Sequence, residues 1–226
     1  LYLKTRNEAA DANSKLVTID KSLMSAIVDH VPLADITINV AQNLDLVPNA
    51  VDFSTYPRFL ERSFSEEHDR VTFFKTILQP VKSAYDYIFI DVPPTLSLQN
   101  DSAFYAVNQI VVVLQTQERA MTGAEQFVSY LQSVLVETHH SSVDILGVLP
   151  VLSKRRAPVD EAILTAAKDT FGEENVFSNA IHIQERIKRY DMTGITQNNH
   201  DTWDKQVHQS FEKLTDELLI RLMEAK

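Results

Sequence analysis

One stretch constrains the fold more than any other, namely an apolar, aromatic run that ends in an acid and two prolines. Residues 85–91 read YDYIFID, and the chain continues with Val92, Pro93 and Pro94. Nearly continuous hydrophobicity over so few residues is typical of a central parallel strand that is covered on both faces. The prolines fix the direction of the loop that follows. The sequence therefore predicts a parallel sheet with Asp91 at the carboxyl end of an inner strand.

The rest of the chain alternates between apolar strand-like runs and helical patterns. Further strands are predicted at residues 44–48, 109–114, 145–149 and 176–177. Helices are predicted near residues 23–27, 54–62, 70–83, 97–107, 122–138, 158–172, 184–191 and 202–224. Strands that alternate with helices predict an α/β fold with a doubly wound, mostly parallel sheet and helices on both faces, as a single domain over residues 1–226.

Composition excludes several classes of site. The chain has no cysteine, which excludes disulfides, thiol catalysis and iron–sulfur or zinc–thiolate centres. No apolar run approaches the ~20 residues that cross a bilayer, and a cytoplasmic location is expected. Residues 1–150 hold 10 Lys/Arg against 18 Asp/Glu, a net of −8, whereas residues 151–226 hold 11 against 13, a net of −2. Contact with nucleic acid would therefore use a local basic patch in the later part of the chain.

Asp91 is the first candidate for chemistry. Open α/β sheets bind ligands at the carboxyl ends of their strands. In nucleotide-hydrolysing proteins an acid at this place holds Mg²⁺, usually through water, and the metal neutralises phosphate charge. The alternative is an Asp that only caps a turn at the end of a strand. The double proline and the sequence that follows favour the metal site.

The stretch Asp91–Pro94 resembles the Asp-x-Pro-Pro box of the ParA family of deviant P-loop ATPases. The resemblance continues in family order through residues 111–115, 123–125, 145–149, 185–191 and 194–195. Its last segment looks especially like ParA proteins of plasmids from Gram-positive bacteria. The resemblance implies a P-loop NTPase-like fold that binds ATP and Mg²⁺. It implies a nucleotide and magnesium site at Asp91, Pro93, Pro94 and Gln115, although Gln115 fits an interior polar role equally well.

The chain departs from the family in its phosphate loop. The family's Gly-Lys-Thr or Gly-Lys-Ser is absent, because none of the four glycines is followed by lysine. The family's second acidic box, which supplies the water-positioning Asp, is absent as well. We therefore expect a fragment that lacks the first strand, the P-loop and the first helix, that holds no catalytic residue and that does not hydrolyse ATP alone. A degenerate, non-hydrolysing scaffold of the same fold is the alternative.

Family resemblance also implies partners. Members dimerise on ATP, bind DNA non-specifically at the nucleoid and are released when a centromere-binding, ParB-like protein stimulates hydrolysis. The expected DNA contacts form two basic clusters, Lys154, Arg155 and Arg156 in the first and Arg186, Lys188 and Arg189 in the second. Ordinary solvated basic turns are the alternative for both clusters, and Arg186 could instead pair with Glu185 or Asp191.

The last predicted helix bears on two other interpretations, a zinc site and a membrane-binding helix. His200, Asp204 and His208 stand four apart, a spacing that can bind zinc, but a surface helix is the simpler interpretation. The opposite face is apolar at 207, 211, 214, 218 and 222. A MinD-like, membrane-cycling ATPase of the same fold would need a basic polar face there, and the acids at 216, 217 and 224 argue against it, so no membrane partner is expected. The phenylalanines at 53, 59, 64, 73 and 74 could serve the core or a partner.

Overall fold

The computed structural model describes residues 18–93, 95–154, 157–196, 198 and 200–225. These residues form two compact units. The N-terminal unit comprises residues 18–108 with 138–142, and the C-terminal unit comprises residues 109–137 with 143–225. The first candidate residue, Asp91, lies in the N-terminal unit, and the basic clusters belong to the C-terminal unit.

The N-terminal unit is mainly helical. Its elements are α1 (Leu23–Val28), α2 (Leu33–Ile36), the antiparallel strands β1 (Ile38–Ala41) and β2 (Leu44–Leu46), α3 (Tyr56–Ser63), α4 (Glu67–Leu78) and α5 (Leu98–Ala106). Side chains cap two of these helices. Ser22 accepts the Ser25 amide at the start of α1, and Ser97 accepts the Asn100 amide at the start of α5. Such caps satisfy amide donors that the first helical turn leaves unpaired.

Tyr56 lies at the centre of the N-terminal core. Its ring is 1% exposed, stacks on Phe53 at 4.7 Å and meets Phe74 edge to face at 6.3 Å. Its hydroxyl lies 3.1 Å from Ser102 Oγ. Burial raises the pKa of Tyr56 to about 12, although the hydrogen bond to Ser102 lowers it in part. The phenylalanines that the sequence left open, at 53, 59, 64, 73 and 74, all lie in or against this core.

The predicted inner strand at residues 85–91 is wrong. Residues 87–91 pair with no strand among the described parts of the chain. Tyr85, Tyr87 and Phe89 are 37%, 47% and 76% exposed. A β-strand is defined by hydrogen bonds to a neighbouring strand, and its hydrophobic faces are buried only if helices cover them. The apolar run alone supplies neither of these conditions.

The C-terminal unit carries the parallel sheet. Its elements are β3 (Gln109–Gln115), α6 (Glu118–Tyr130), which continues as a π-helical segment over Leu131–Thr138, β4 (Asp144–Ser153), α7 (Pro158–Phe171), β5 (Ile181–His182), α8 (Glu185–Thr193) and α9 (Thr202–Glu224). The strand order is β3-β4-β5, and both pairings are parallel. Helices follow each strand, so the predicted α/β class with a parallel sheet and flanking helices is confirmed.

The register of the sheet brings three strand ends to one edge. Gln115 at the end of β3 pairs with Val151, and Ser153 at the end of β4 pairs with His182. Burial in β3 alternates, because its residues 110, 112 and 114 are buried whereas Val113 is 62% exposed. This strand is therefore buried on one face. The carboxyl edge is the place where such sheets bind ligands.

Glu217 on α9 fastens a loop of the C-terminal unit. Its carboxylate accepts the amides of Ser178 (2.8 Å) and Asn179 (2.9 Å) and pairs with Arg221 (3.1 Å). The Arg221 guanidinium lies over the Phe177 ring at 4.3 Å. Burial raises the pKa of Glu217, but these hydrogen bonds outweigh it and lower the pKa overall. Glu217 therefore faces the protein and does not belong to the acidic surface that the sequence suggested.

We expect Glu217→Gln to lower the free energy of unfolding by about 1–2 kcal/mol, because charge-assisted bonds to the loop amides are lost. Urea unfolding followed by circular dichroism measures the change. Glu224→Gln, on the exposed end of the same helix, is the control and should change stability by less than about 0.5 kcal/mol. Equal effects from the two variants would contradict the fastening role.

No helix in the described parts of the chain combines the length and hydrophobicity that crossing a membrane requires.

Candidate functional site

Asp91 lies on an exposed segment, and hydrogen bonds from α5 hold the loop that follows it. Asn100 on α5 is fully buried, and its side-chain amide donates to the carbonyls of Pro93 (2.7 Å) and Thr95 (2.5 Å). The Thr95 amide also donates to the Pro93 carbonyl at 2.8 Å. Pro94 lies outside the described residues. Asn100 thus holds the turn that the prolines begin. Sequence reasoning missed this residue, although its place three residues after the cap Ser97 could have indicated it.

The Asp91 carboxylate is suited to a hard cation. It is exposed, and among the described residues no donor forms a hydrogen bond with it. In proteins Mg²⁺ is usually bound by one or two carboxylates and keeps several of its water ligands. This exposed carboxylate leaves room for a cation, and the metal role of Asp91 stays a prediction. Gln115 belongs to the other unit, so a site shared by Asp91 and Gln115 stays a prediction.

Polar side chains meet at the carboxyl edge of the parallel sheet. Ser153 Oγ lies 2.7 Å from Nδ1 of His182 on the neighbouring strand, and Ser153 is 1% exposed. Leu152, just before it, has φ of +56°, a conformation that bulky side chains rarely adopt. The strand register shifts at this point, between Val151 and Ser153. The strained residue therefore turns the end of β4 so that Ser153 meets His182.

Asp160 at the start of α7 continues this polar edge. Its carboxylate accepts the Lys154 amide at 2.6 Å. That bond, together with a hydrogen bond from Thr116, lowers the pKa of Asp160. Both donors follow strand ends, so one carboxylate organises the exits of β3 and β4. The Lys154 side chain is left exposed beside the edge.

A groove of about 860 Å³ opens next to this edge, and we call it the basic groove. Its cations come from three elements, with Lys154 from the end of β4, Arg186 and Arg189 from α8, and Lys213 from α9. Trp203 from the first turn of α9 also lines it. The groove therefore joins members of both basic clusters that the sequence predicted separately.

The other predicted DNA contacts lie elsewhere. Lys188 is exposed and pairs with Glu185 at 3.4 Å, and it does not line the basic groove. Arg155 and Arg156 lie outside the described residues. The structure thus brings together Lys154, Arg186 and Arg189, and it adds Lys213, which sequence reasoning missed because a single lysine on a long helix gives no signal.

Arg186 is held by two carboxylates. Its Nε donates to Asp204 at 2.6 Å and its Nη2 donates to Asp201 at 2.6 Å. The side chain is 21% exposed, and that of Asp204 is fully buried. The DNA contact expected of Arg186 stays a prediction, although two acids already neutralise the guanidinium. Arg186 fastens α8 to the start of α9.

Asp204 collects further donors from the loop between α8 and α9. Tyr190 Oη donates at 2.9 Å, Thr196 Oγ1 at 2.7 Å and the Asn198 amide at 2.9 Å. His208 Nε2 lies 2.7 Å from the Thr196 carbonyl oxygen. We call this set the Asp204 cluster. Within the described ranges no three metal-ligating side chains converge, and Asp204 and His208 both contact Thr196.

The fold and these edges define an α/β protein with candidate ligand groups at the ends of parallel strands. The AAA_31 family, described as an AAA domain, matches residues 4–145. Since this match covers more than half of the chain, the chain belongs to that family, and its relatives are of the ParA type.

Two curated relatives are similar to the chain. It is 27% identical over 182 residues to the chromosome-partitioning ATPase Soj of Treponema pallidum, which covers 79% of the chain and 68% of that protein. It is 27% identical over 172 residues to the sporulation initiation inhibitor protein Soj of Bacillus subtilis, which covers 75% of the chain and 65% of that protein. The chain thus spans about two thirds of the length of these relatives.

Solved structures share the fold. Apo McdA of Cyanothece has a TM-score of 0.73 at 20% identity and covers 91% of the chain and 81% of its own. A McdA variant solved as an ATP complex has a TM-score of 0.71. A cobyrinic acid a,c-diamide synthase of Mycobacterium smegmatis, solved with ADP and magnesium, has a TM-score of 0.58 at 22% identity and covers 67% of the chain and 60% of its own. Nucleotide and magnesium therefore bind to proteins of this fold.

Proposed function

We propose that this chain works in a ParA-like partition ATPase that binds ATP and Mg²⁺, dimerises with ATP and then holds DNA without sequence preference. A ParB-like, centromere-binding partner would stimulate hydrolysis and release the DNA. Membership of the ParA-type family supports the ATPase part of this proposal. The observation that carries the DNA part is the basic groove, which gathers cations from both basic clusters on a chain of net charge −10.

The charge distribution makes the proposed DNA binding local. A chain of net charge −10 is repelled by DNA over most of its surface, so attraction has to come from a concentrated patch. Phosphate neutralisation by Lys and Arg releases counterions and gives an affinity that falls steeply with salt. The proposed contacts are Lys154, Arg155, Arg156, Lys188 and Arg189. Arg186 contributes by fixing α8.

DNA retention by the full-length protein tests this function. Retention is measured on immobilised duplex DNA with Mg-ATP, with Mg-ADP and without nucleotide, across a salt series. We expect retention only with Mg-ATP, with a steep loss between about 50 and 200 mM salt. Light scattering on the protein without DNA, under the same three nucleotide conditions, should give twice the monomer mass only with ATP. Nucleotide binding without DNA retention would contradict the partition reading and favour a membrane-cycling or scaffold protein, which pelleting with anionic liposomes would separate.

The magnesium role of Asp91 gives a second prediction. We expect Asp91→Ala to weaken Mg-dependent ATP binding by the full-length protein at least about tenfold, because the metal loses its protein carboxylate. Isothermal titration with Mg-ATP, and with ATP and EDTA, measures the loss. Asp86→Ala removes another exposed acid five residues earlier and is the matched control. If the two variants bind Mg-ATP alike, Asp91 does not serve the metal.

A further inference from the structure

Trp203 is the least expected residue of the basic groove. It is the one tryptophan of the sequence, and its side chain is 69% exposed. Ile183, which also lines the groove, is 42% exposed. An isolated exposed aromatic needs no explanation, but here the indole lines a groove together with cations. A flat apolar face beside positive charges suits a ligand that carries both rings and negative charge.

The cations around Trp203 are available to such a ligand. Arg186 is paired with Asp201 and Asp204. By contrast, Lys154, Arg189 and Lys213 form no ion pair within 4.0 Å of a carboxylate in the described parts of the chain, and all three are exposed. The charge of Lys154 does act on Asp160, whose pKa it helps to lower. They therefore pay no cost of breaking an existing pair when an anion arrives.

Neutral hydrogen-bonding groups share the lining with two acids, Glu185 and Asp201, which pair with Lys188 and Arg186. Gln206 and Gln209 lie on α9 between Trp203 and Lys213, and both are exposed in the groove. A glutamine side chain offers two donors and an acceptor, which is the inventory that base edges require. The groove therefore combines cations for phosphate, an aromatic face for stacking and amides for base edges.

We infer that the basic groove binds a single-stranded segment of nucleic acid, with an unpaired base stacked on Trp203 and phosphates on Lys154, Arg189 and Lys213. Base–aromatic stacking with a positively charged groove is the usual mode of single-strand binding. The bases of a duplex are already stacked on one another, so duplex DNA would use the cations but gain little from the indole. This inference rests on the proposed function, since it specifies the form of nucleic acid that the same surface holds.

Trp203 fluorescence in the full-length protein tests the inference. The probes are oligo(dT) of about 20 nucleotides, a duplex of equal length and poly-glutamate, each titrated with and without Mg-ATP. Anisotropy of labelled oligonucleotides gives the affinities of the variants. We expect oligo(dT) to quench the Trp203 emission and the duplex to change it little. Equal quenching by poly-glutamate would overturn the inference in favour of an acidic protein segment.

Variants separate stacking from charge. We expect Trp203→Ala to weaken oligo(dT) binding about tenfold while duplex binding changes less than about twofold. Trp203→Phe, which keeps a smaller ring, should recover part of the loss. Lys213→Glu should weaken both ligands, whereas Lys205→Glu, on an exposed position of α9 outside the groove, should weaken neither. Equal effects of Trp203→Ala on both ligands would overturn the inference.

The failures are distinguishable. If duplex DNA is retained with Mg-ATP but oligo(dT) neither binds nor quenches, the single-strand inference is wrong and the proposed partition function stands. If neither DNA binds under any nucleotide condition, the DNA part of the proposed function is wrong, and the inference falls with it. Unchanged melting temperatures of the Trp203 variants would exclude misfolding as the cause of a loss, since the side chain is exposed.

Discussion

Replacing Asp204 by alanine should lower the free energy of unfolding by about 3 kcal/mol or more, because the surrounding hydrogen-bond donors lose the carboxylate that accepts from them. Asp204 is fully buried and accepts hydrogen bonds from Arg186, Tyr190, Thr196 and the Asn198 amide. Removing one partner of a buried ion pair costs more than the pair itself contributes, since the remaining charge stays desolvated. Few single side chains in the described residues serve so many partners.

Chemical unfolding of three variants measures this cost. Asp204→Asn keeps the shape but replaces one of the two acceptor oxygens with an NH₂ donor that faces other donors, and it removes the charge that pairs with Arg186, so we expect nearly the same loss as for alanine. Asp216→Asn, on an exposed position of the same helix, is the matched control and should change stability by less than about 0.5 kcal/mol. If Asp204→Asn unfolds at the same denaturant concentration as the unchanged protein, the cluster is not a source of stability.

The Asp204 cluster also makes the free energy of unfolding depend on pH. Burial alone raises the pKa of Asp204, but the hydrogen bonds from Arg186, Asn198, Thr196 and Tyr190 outweigh it and hold the pKa well below the ordinary value of 3.8. A depressed folded-state pKa contributes stability that is complete above the unfolded value and is lost as the pH falls below it. The stability difference between the unchanged protein and Asp204→Asn should therefore be constant above about pH 5 and shrink below about pH 4.

The elements of the C-terminal unit could be predicted from the sequence because their signals are local. Pro158 and Gly172 bracket α7, since proline fits a first helical turn and glycine a helix end. The strands at 109–115 and 144–153 follow from their apolar runs. The strand predicted at 85–91 failed for a different reason, since hydrogen bonds to a neighbour and a covering helix are tertiary facts that an apolar run cannot report.

The candidate site was less predictable than the fold. The clusters around Lys154 and Arg189 could be found because basic residues are adjacent in the sequence. The partners of Arg186 could not, because Asp201 and Asp204 are 15 and 18 residues away and meet it only when α8 packs on α9. Lys213 likewise joins the groove only through the packing of α9.

Reversing two charges of the basic groove should have the largest effect on binding. We expect Lys154→Glu with Arg189→Glu to weaken ATP-dependent retention of duplex DNA by the full-length protein at least about 100-fold at low salt. Each substitution removes an attraction to phosphate and adds a repulsion. Both side chains are exposed and lack ion pairs among the described residues, so the fold should keep its melting temperature.

The salt dependence distinguishes contact with phosphate from a general charge effect. If Lys154 and Arg189 each neutralise one phosphate, replacing both with glutamine should reduce the slope of log affinity against log salt by about 1.8. Lys205→Glu changes the net charge by as much as one of the reversals, but its position on α9 lies outside the groove. It should leave the slope unchanged and weaken retention less than about threefold. A uniform loss for Lys205 and for the groove residues would mean that DNA senses only the net charge of the chain, and the basic groove would then have no part in holding it.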